Sequence, residues 1–564
     1  MYNSSMSRIL PIKTTSPFNS TTPTHTMNTK SHLTRNVALL AAVVLASSTS
    51  LHAQARSWVG GNGTWDDTTT ANWSPNTVPV LANSVEINAG SGITVNYTAT
   101  PVAADGFVRF DITNSGVGTT AIFNLDSSDI LRVNNTFTFG RFSGGNVQAN
   151  LSGSAQFILD GGGSFEIGGS APSAVFNQSG GTFTAGVTGG AGLSLLAGGT
   201  YNLSGGNYTS TGGIRVATGA TFNQTGASAS VVLPAAPQTI LAGGTWNLSN
   251  GTYSTGNGFD IQAGGSASFT GGTIAATTGL RITLTGAGAS WTQAGGSIAL
   301  NTGGNAGTST LTLVQSSTVQ GYGTISTVGS NGVFQNSGRV IANGGGTNRT
   351  LDFSSFTPAN VTNTSDNTTN NGWFATARGT LLLPTVTVNA TTSTNWGEAA
   401  GDTTIDLVNS LRLTTSAGTT NGTLSISLLA PDRTDISTEM TSLSTASGGA
   451  SVIGLWDFNP ITFAFGSGNL TATARFDRVA YDGLFSGIGT LGLFLYNGST
   501  WSSVLASSDM TNNRITSNAL TSFGSGTNAG LFAVTVVPEP ATWLLVAGSL
   551  TALVVLRRRR AREF

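Results

Sequence analysis

The sequence of 564 residues contains no cysteine, which limits how the folded protein can be stabilised. Without disulfides, the fold depends on hydrophobic burial and on backbone hydrogen bonds. Lysine and histidine are also scarce: the chain has two lysines and three histidines, all within residues 1–52. Beyond residue 52, the sequence therefore excludes catalytic triads that use histidine or cysteine, zinc sites built from those residues, and lysine-dependent phosphate loops.

Charged residues of either sign are also few, at 8% of the chain. Residues 56–537 contain 14 arginines against 22 acidic residues, which gives this part a net charge of −8. A negatively charged region without lysine is poorly suited to the phosphate backbone, so we expect no nucleic-acid partner. We also expect no cofactor.

Glycine and small polar residues are abundant instead. The chain has 76 glycines, about twice the ordinary usage. Hydrophobic residues still make up 38% of the sequence, which is enough to bury a core and argues against disorder. This composition predicts an all-β protein with many tight turns.

The middle of the chain repeats. Residues 196–204 read LAGGTYNLS and residues 241–249 read LAGGTWNLS, an offset of 45 residues. Between and around them, aromatic residues recur every 19 to 25 positions, with a period near 22 that is typical of a solenoid. These aromatics are Phe157, Phe176, Tyr201, Phe222, Trp246, Phe269 and Trp291.

The local pattern indicates which solenoid this is. Apolar and polar residues alternate within each repeat, as in Thr200 to Leu203, and glycine pairs interrupt the chain every few residues. Short strands at this period predict a right-handed parallel β-helix of about eleven turns over residues 105–345, roughly 50 Å long. We expect the inner aromatics to stack as core and the recurring Asn and Thr residues to form side-chain ladders. The alternative for the aromatics is a sugar-binding stripe.

Residues 56–104 precede the repeats and contain Trp58, Trp65 and Trp73 in a stretch that reads SWVGGNG, then TWDD, then ANW. This stretch resembles the opening module of autotransporter-associated β-strand repeat proteins. The later segment Val319–Ile325 resembles the β-helical passenger repeats of autotransporters and adhesins. We predict that residues 56–104 form a capping module in which the tryptophans cover the open first turn; an aromatic platform for polysaccharide is the alternative.

The repeat pattern ends near residue 346. We interpret residues 346–379, which include a Thr/Asn/Ser-rich passage, as a linker. Residues 380–536 contain further β-rich segments, and Asn497-Gly498 between two of them signals a hairpin. Their spacing predicts a β-sandwich-like domain.

Catalytic candidates are few. Asp160 and Glu166 lie close enough in sequence to face one groove as a hydrolase pair, and Arg215 and Arg281 are possible lyase bases. For Asp160 and Glu166 the simpler interpretation is solvated turn residues. The densest charge group of the C-terminal region is interpreted as a solvated loop, with a weak calcium site as the alternative; it contains Asp432, Arg433, Asp435 and Glu439. We expect no metal site and no enzymatic activity.

The segment 537–564 combines three features at the C-terminus. Pro538, Glu539 and Pro540 precede sixteen apolar or small residues, which as a helix would rise about 24 Å, near the lower limit for crossing a bilayer. We predict a single transmembrane helix over residues 541–556. A basic cluster follows it, formed by Arg557, Arg558, Arg559, Arg560 and Arg562.

The order of these three features resembles the PEP-CTERM sorting tails of Gram-negative bacteria. By the positive-inside rule, the arginines hold their end of the helix in the cytoplasm. The resemblance implies that an exosortase, a membrane protease-transferase, cuts near the Pro-Glu-Pro triplet. An ordinary single-pass anchor is the alternative, and it explains the helix and the arginines but not the triplet.

The N-terminal region predicts export. Met27 begins a stretch with Lys30 and Arg35, followed by the apolar run Val37–Ala46 and then by small residues. A positive segment, a short apolar run and an A-x-A motif are typical of a secretory signal peptide, which we assign to residues 27–55.

Cleavage of this signal peptide is expected after Ala55, with cleavage after Ala53 as the alternative. Residues 1–26 are Ser/Thr-rich without a pattern, and we interpret them as a leader upstream of the true start at Met27. Peptide mapping of the precursor that recovered residues 1–26 would contradict this interpretation.

Together these features predict a non-catalytic structural protein of the cell envelope or extracellular matrix, associated with exopolysaccharide. Before processing, it would be a single-pass protein of the inner membrane with a cytoplasmic C-terminus. After processing, it would reach the cell surface or matrix. Two alternatives stay open: a glycan-binding adhesin, and a polysaccharide lyase or glycoside hydrolase on a β-helix.

Overall fold

Short strands with alternating buried and outward-facing residues build most of this protein. The Asn146–Leu151 strand illustrates the pattern, since every second side chain is buried. The computed structural model describes residues 54–537 except 67, 81–82, 91, 99–105, 127, 162, 187–191, 235–236, 277–279, 301–308, 328–331, 345–347, 363–371, 400–401 and 486–488.

The first turns contain β1 Ala55–Trp58, β2 Gly63–Trp65, β3 Trp73–Ser74, β4 Ser84–Ala89, β5 Thr94–Tyr97, β6 Phe107–Asn114, β7 Thr120–Leu125, β8 Ile130–Phe139 and β9 Asn146–Leu151. The middle turns contain β10 Gln156–Leu159, β11 Phe165–Ile167, β12 Ala174–Gln178, β13 Thr182–Ala185, β14 Leu193–Leu195, β15 Gly199–Leu203, β16 Asn207–Ser210, β17 Ile214–Val216, β18 Thr221–Gln224, β19 Ser230–Leu233, β20 Gln238–Ile240, β21 Thr245–Leu248 and β22 Thr252–Thr255. The later turns contain β23 Phe259–Gln262, β24 Ser266–Phe269, β25 Thr273–Ala276, β26 Arg281–Thr285, β27 Ser290–Ala299, β28 Ser309–Leu313, β29 Thr318–Ser326, β30 Gly332–Asn336, β31 Arg339–Asn343, β32 Arg349–Asp352, β33 Val361–Thr362, β34 Trp373–Ala377 and β35 Gly379–Leu382.

Parallel pairing arranges these strands into three long sheets that coil as a β-solenoid of about 11 turns, which confirms the predicted solenoid. The first sheet runs from β1 through β4, β6, β8 and β11 to β33. The second runs from β2 through β5, β7 and β9 to β34. The third begins at β8 and β10 and ends at β35.

The parallel ladder extends beyond the predicted repeat boundaries, 105–345, at both ends. β1 already pairs in parallel with β4, so residues assigned to a capping module supply solenoid strands of their own. At the other end, β34 pairs in parallel with β31 inside the segment assigned to a linker, and β35 pairs in parallel with β32 at the boundary of that segment with the next domain. The Thr/Asn/Ser-rich passage just before β34 concealed these strands, because it interrupts the alternating pattern.

Successive turns approach each other closely at the corners, which explains part of the glycine content. A Cβ atom at Gly226 would lie 1.6 Å from the carbonyl oxygen of Ser204 in the turn before. Only glycine fits such a contact.

The C-terminal region consists of antiparallel sheets. Its elements are β36 Val386–Val388, β37 Ser393–Trp396, β38 Leu411–Thr415, β39 Gly422–Leu429, α1 Ser437–Ala446, β40 Ser451–Pro460, β41 Leu470–Arg475, α2 Arg478–Phe485, β42 Thr490–Tyr496, β43 Trp501–Ser503, β44 Leu505–Asp509, β45 Arg514–Ser517 and β46 Leu531–Val537. Short 3₁₀ turns occur at Thr70–Asn72, Pro358–Asn360 and Thr434–Ile436.

One antiparallel sheet grows directly from the end of the solenoid. β35 pairs with β39, which continues through β40 and β46 to β42 and β43. A separate five-stranded sheet has the order β37-β38-β41-β45-β44. Buried residues of both sheets belong to the same hydrophobic cluster as the solenoid core. The hydrogen-bonded sheet and the core therefore continue from the solenoid into the C-terminal region.

Candidate functional site

A row of seven asparagines forms the most regular feature of the solenoid surface. They occupy equivalent outward positions of the second sheet, and each one after the first donates an Nδ2–H hydrogen bond to the Oδ1 of the asparagine one turn before, over 2.7–3.0 Å. The members of this asparagine ladder are Asn96, Asn124, Asn150, Asn177, Asn202, Asn223 and Asn247. The ladder confirms the expectation that recurring Asn side chains satisfy one another.

The ladder also measures the length of the solenoid turn. Its six steps span 28, 26, 27, 25, 21 and 24 residues. The turn is therefore longer and more variable than the period near 22 read from the aromatics, because the corner segments differ in length.

Replacing Asn177 with alanine should remove two ladder bonds, those to Asn150 and Asn202. Each neutral hydrogen bond contributes about 1 kcal/mol, so we expect the free energy of unfolding to fall by roughly 1–2 kcal/mol. Urea denaturation measures this change. Thr184→Ala is the matched control, since Thr184 lies outward on β13 and makes no side-chain hydrogen bond within the described structure. An equal effect of both variants would show that the ladder adds no stability.

The repeat aromatics are core residues, as expected, but they form more than one column. Phe176, Tyr201, Phe222 and Trp246 are register partners in the second sheet, with ring centroids 5.2 Å and 5.6 Å apart for the first two pairs. All of them are buried. The column therefore offers no exposed sugar-binding stripe.

The remaining aromatics depart from the single predicted column. Ala267 takes the next place after Trp246, and Trp291 follows it. Phe157 starts a separate stack in the third sheet with Phe183, whose ring centroid lies 4.7 Å away. Phe269 lies two register positions further along its strand than Ala267. The single aromatic period read from the sequence therefore combined residues of two different sheets.

The three tryptophans of the first turn pack edge to face. Trp73 lies 5.2 Å from Trp58 and 4.8 Å from Trp65 between ring centroids. All three are at most 3% exposed. Through β3, Trp73 and Ser74 also pair antiparallel with β1 and cover part of its edge. This burial agrees with capping and is incompatible with an exposed platform.

Asp160 and Glu166 do not form a carboxylate pair. Asp160 follows β10 of the third sheet and forms a salt bridge of 2.9 Å with Arg132. Glu166 lies in β11 of the first sheet and forms a salt bridge of 2.7 Å with Arg141. Each carboxylate is thus neutralised by a different arginine of the preceding turn.

Arg215 and Arg281 are exposed outward residues of the first sheet. Arg215 is the register partner of Ser194 and Thr239, and Arg281 is the partner of Thr310. Neither arginine contacts an acidic side chain within the described structure.

The acidic group around Asp432 is likewise divided among separate partners. Asp432 pairs with Arg378 at 3.3 Å, and Arg433 pairs with Asp435, whose pKa this hydrogen bond lowers. Glu439 accepts a hydrogen bond from Asn528 at 2.8 Å. Across the residues the structure describes, no three acidic or histidine side chains group as metal ligands would.

A buried carboxylate in the C-terminal region was not anticipated. Glu398 is 2% exposed, and its Oε1 accepts hydrogen bonds from the backbone N–H groups of Asp406 and Leu407, each at 2.5 Å. Ser410 Oγ donates a third at 3.0 Å. Burial raises the pKa of Glu398 to about 7, although these hydrogen bonds oppose the shift.

Side chains of the five-stranded sheet hold the loop that contains Glu398. Asn395 Nδ2 donates to the carbonyl oxygens of Ala399 and Asp402 at 3.1 and 2.9 Å. Arg514 Nη2 donates to the carbonyl of Ile405 at 3.2 Å. Because Glu398 binds backbone groups of its own loop and is shielded from solvent, we assign it a structural role.

The sorting triplet Pro538, Glu539 and Pro540 lies outside the described residues, as do the predicted helix 541–556 and the arginines Arg557, Arg558, Arg559, Arg560 and Arg562. Ala53 and the remainder of the predicted signal peptide before Gln54 also lie outside them. Among the residues that are described, no helix has the length and apolar character needed to cross a bilayer.

Sequence reasoning also missed a pair of acids on neighbouring turns. Glu86 of β4 and Asp111 of β6 are direct register partners in the first sheet. Both stand between hydrophobic residues in alternating segments, 25 positions apart. That spacing equals one solenoid turn. A sequence search that used the turn length measured from the asparagine ladder would have placed these two acids side by side.

A scan against protein-family models, a search of curated proteins and a search of solved structures each found no match. The sorting-tail and autotransporter resemblances therefore rest on the residues quoted for them.

Proposed function

We propose that this chain is a non-catalytic exported protein of the cell envelope or extracellular matrix, sorted by an exosortase-type enzyme that recognises its C-terminal tail. The signal peptide directs export through the inner membrane. The tail then holds the protein there, with its C-terminus in the cytoplasm, until it is cut. The released protein joins an exopolysaccharide-rich surface layer.

The observation that carries this proposal is the position of the predicted processing points relative to the folded body. The compact body begins at Ala55, one of the two candidate signal-cleavage residues. Its last strand ends at Val537, immediately before the Pro-Glu-Pro triplet. Cleavage after Ala53 would leave every strand complete, and cleavage after Ala55 would remove only the first residue of β1.

In this proposal the solenoid coils right-handedly, as nearly all parallel crossover connections do. The antiparallel sheets form a sandwich-like spacer between the rod and the tail. The rod presents amide and hydroxyl groups that bond to one another, and the carboxylates Asp160 and Glu166 are held by separate arginines. This arrangement favours a structural role over the lyase or hydrolase alternative.

A glycan-binding adhesin is the second candidate, favoured by the exposed ring of Phe142.

The proposal predicts where the protein accumulates in its native host. Wild-type protein should fractionate with the cell surface or matrix, whereas a variant with Pro538, Glu539 and Pro540 changed to alanine should stay in the inner membrane. Fractionation followed by immunoblotting measures both.

The matched control carries alanine at three exposed solenoid positions, Val117, Thr218 and Thr270, and should behave as wild type. Retention of wild type and variant alike in the inner membrane would make the tail a permanent anchor. Release of both would show that the triplet is not the sorting signal.

A further inference from the structure

A cleft of about 430 Å³ opens on the first sheet near the start of the solenoid. Its lining combines charged, polar and aromatic side chains from successive turns. Glu86 and Asn88 come from β4, Arg109 and Asp111 from β6, and Phe142 from the segment after β8. Because β4, β6 and β8 are neighbouring strands, the cleft extends ~10 Å along the solenoid axis.

Phe142 gives the cleft an apolar plate. Its side chain is 64% exposed. The guanidinium of Arg141 lies 5.3 Å from its ring centroid. An aromatic ring left in solvent at the edge of a cleft can stack on the apolar face of a ligand and attract a cation.

The charges of the cleft are unbalanced. Arg109 Nε lies 2.6 Å from Asp111 Oδ2, and the hydroxyl of Thr138 also donates to Asp111. Glu86, on the adjacent strand, has no hydrogen bond or ion pair within the described structure. One carboxylate is therefore neutralised by an arginine, while the other keeps its negative charge and its acceptor capacity.

We propose that this cleft binds a saccharide that carries a free amino group, such as a unit of a deacetylated hexosamine polymer. The sugar ring stacks on Phe142, its ammonium group bonds to Glu86, and its hydroxyl groups bond to Asn88 and Asp111. Charge-assisted hydrogen bonds of this kind are about twice as strong as neutral ones. A divalent cation fits less well, because Arg109 already neutralises one of the two carboxylates.

Binding can be tested with purified mature protein and three tetrasaccharides: β-1,4-linked glucosamine, its fully N-acetylated form, and β-1,4-linked glucose. Isothermal titration at low salt should show that the glucosamine tetramer binds at least about tenfold more tightly than the other two. Its affinity should also fall as salt is added. Equal binding of all three would overturn the proposed specificity, and absence of binding would overturn the site.

Two variants locate the binding. Phe142→Ala should weaken binding of the glucosamine tetramer about tenfold, and Glu86→Gln should remove its advantage over the N-acetylated tetramer. The controls are Val117→Ala, an exposed apolar side chain, and Asp260→Asn, an acid further along the same sheet. Unchanged affinity in both cleft variants would place the binding elsewhere and overturn the inference.

The cleft deepens the proposed envelope function by naming a glycan class. Its test uses purified protein and does not depend on the C-terminal tail. A protein that binds the tetramer but keeps its tail would refute the sorting proposal alone. A protein that loses its tail but binds none of the three would refute the cleft alone.

Discussion

Replacing Trp246 with alanine is expected to lower the free energy of unfolding of the solenoid by about 3–5 kcal/mol, the range for deleting a large buried aromatic. Trp246 is fully buried in the middle of the solenoid. Its ring centroid lies 5.2 Å from that of Tyr253 and 4.8 Å from that of Phe259. On the next turn its register partner is Ala267, which is too small to fill the resulting cavity.

The large effect follows from the nearly one-dimensional packing of a solenoid, in which each turn packs mainly on its neighbours. A cavity at Trp246 weakens the contacts of its own turn with both adjacent turns. Urea denaturation followed by circular dichroism measures the change. Trp246→Phe, which keeps a buried ring, should cost less, and Val117→Ala should change stability by no more than about 0.5 kcal/mol. A loss below about 1 kcal/mol for the alanine variant would contradict the packing described for this column.

The second large expected effect is a dependence of folding stability on pH that arises from Glu398. Its pKa is raised from 4.5 to about 7 in the folded protein. The folded state therefore holds the proton more tightly than the unfolded state does, and the associated stability is fully present below pH 4.5. It is lost as pH rises through 7, with a total loss of about 3 kcal/mol.

Hydrogen exchange followed by mass spectrometry can detect this change in peptides that cover residues 395–415. Between pH 5 and pH 8, protection of the wild-type loop should fall relative to a Glu398→Gln variant measured at the same pH. The variant keeps an uncharged acceptor and cannot titrate. Identical pH profiles for the two proteins would show that the buried carboxylate does not control the loop.

The effect of Glu398 on stability can be distinguished from the effects of other carboxyl groups whose pKa values are shifted. Burial also raises the pKa of Asp457, so Asp457→Asn is the matched control for a second group that acts in the same direction. Asp66 and Asp509 have lowered pKa values because hydrogen bonds stabilise their charged forms. The stability that they contribute is fully present above pH 3.8 and is lost only as pH falls below that value, outside the range of this measurement.

The solenoid was predictable because its signals repeat. Alternation around Tyr201 and the recurring asparagines indicate short stacked strands and a ladder, and both are present. The ends of the solenoid were harder to predict, since β34 and β35 follow a Thr/Asn/Ser-rich passage and their spacing departs from the repeat. The two aromatic columns could not be separated, because one turn carries aromatics in two sheets at similar intervals.

The candidate sites depend on contacts that a single sequence does not encode. Asp160 and Glu166 are near in sequence but belong to different sheets. Glu86 and Asp111 are distant in sequence but adjacent in the fold. Glu398 occurs once and outside any pattern, and only the fold reveals its burial and its backbone partners.

Removal of the C-terminal tail is tested most directly by mass spectrometry of the C-terminus of protein recovered from its native host. The proposed function predicts a chain that ends near Pro538-Glu539-Pro540, and loss of this cleavage when the triplet is changed to alanine. An intact chain that ends at Phe564 and is recovered from the membrane in both cases would contradict it, and would make the protein a permanent single-pass membrane protein.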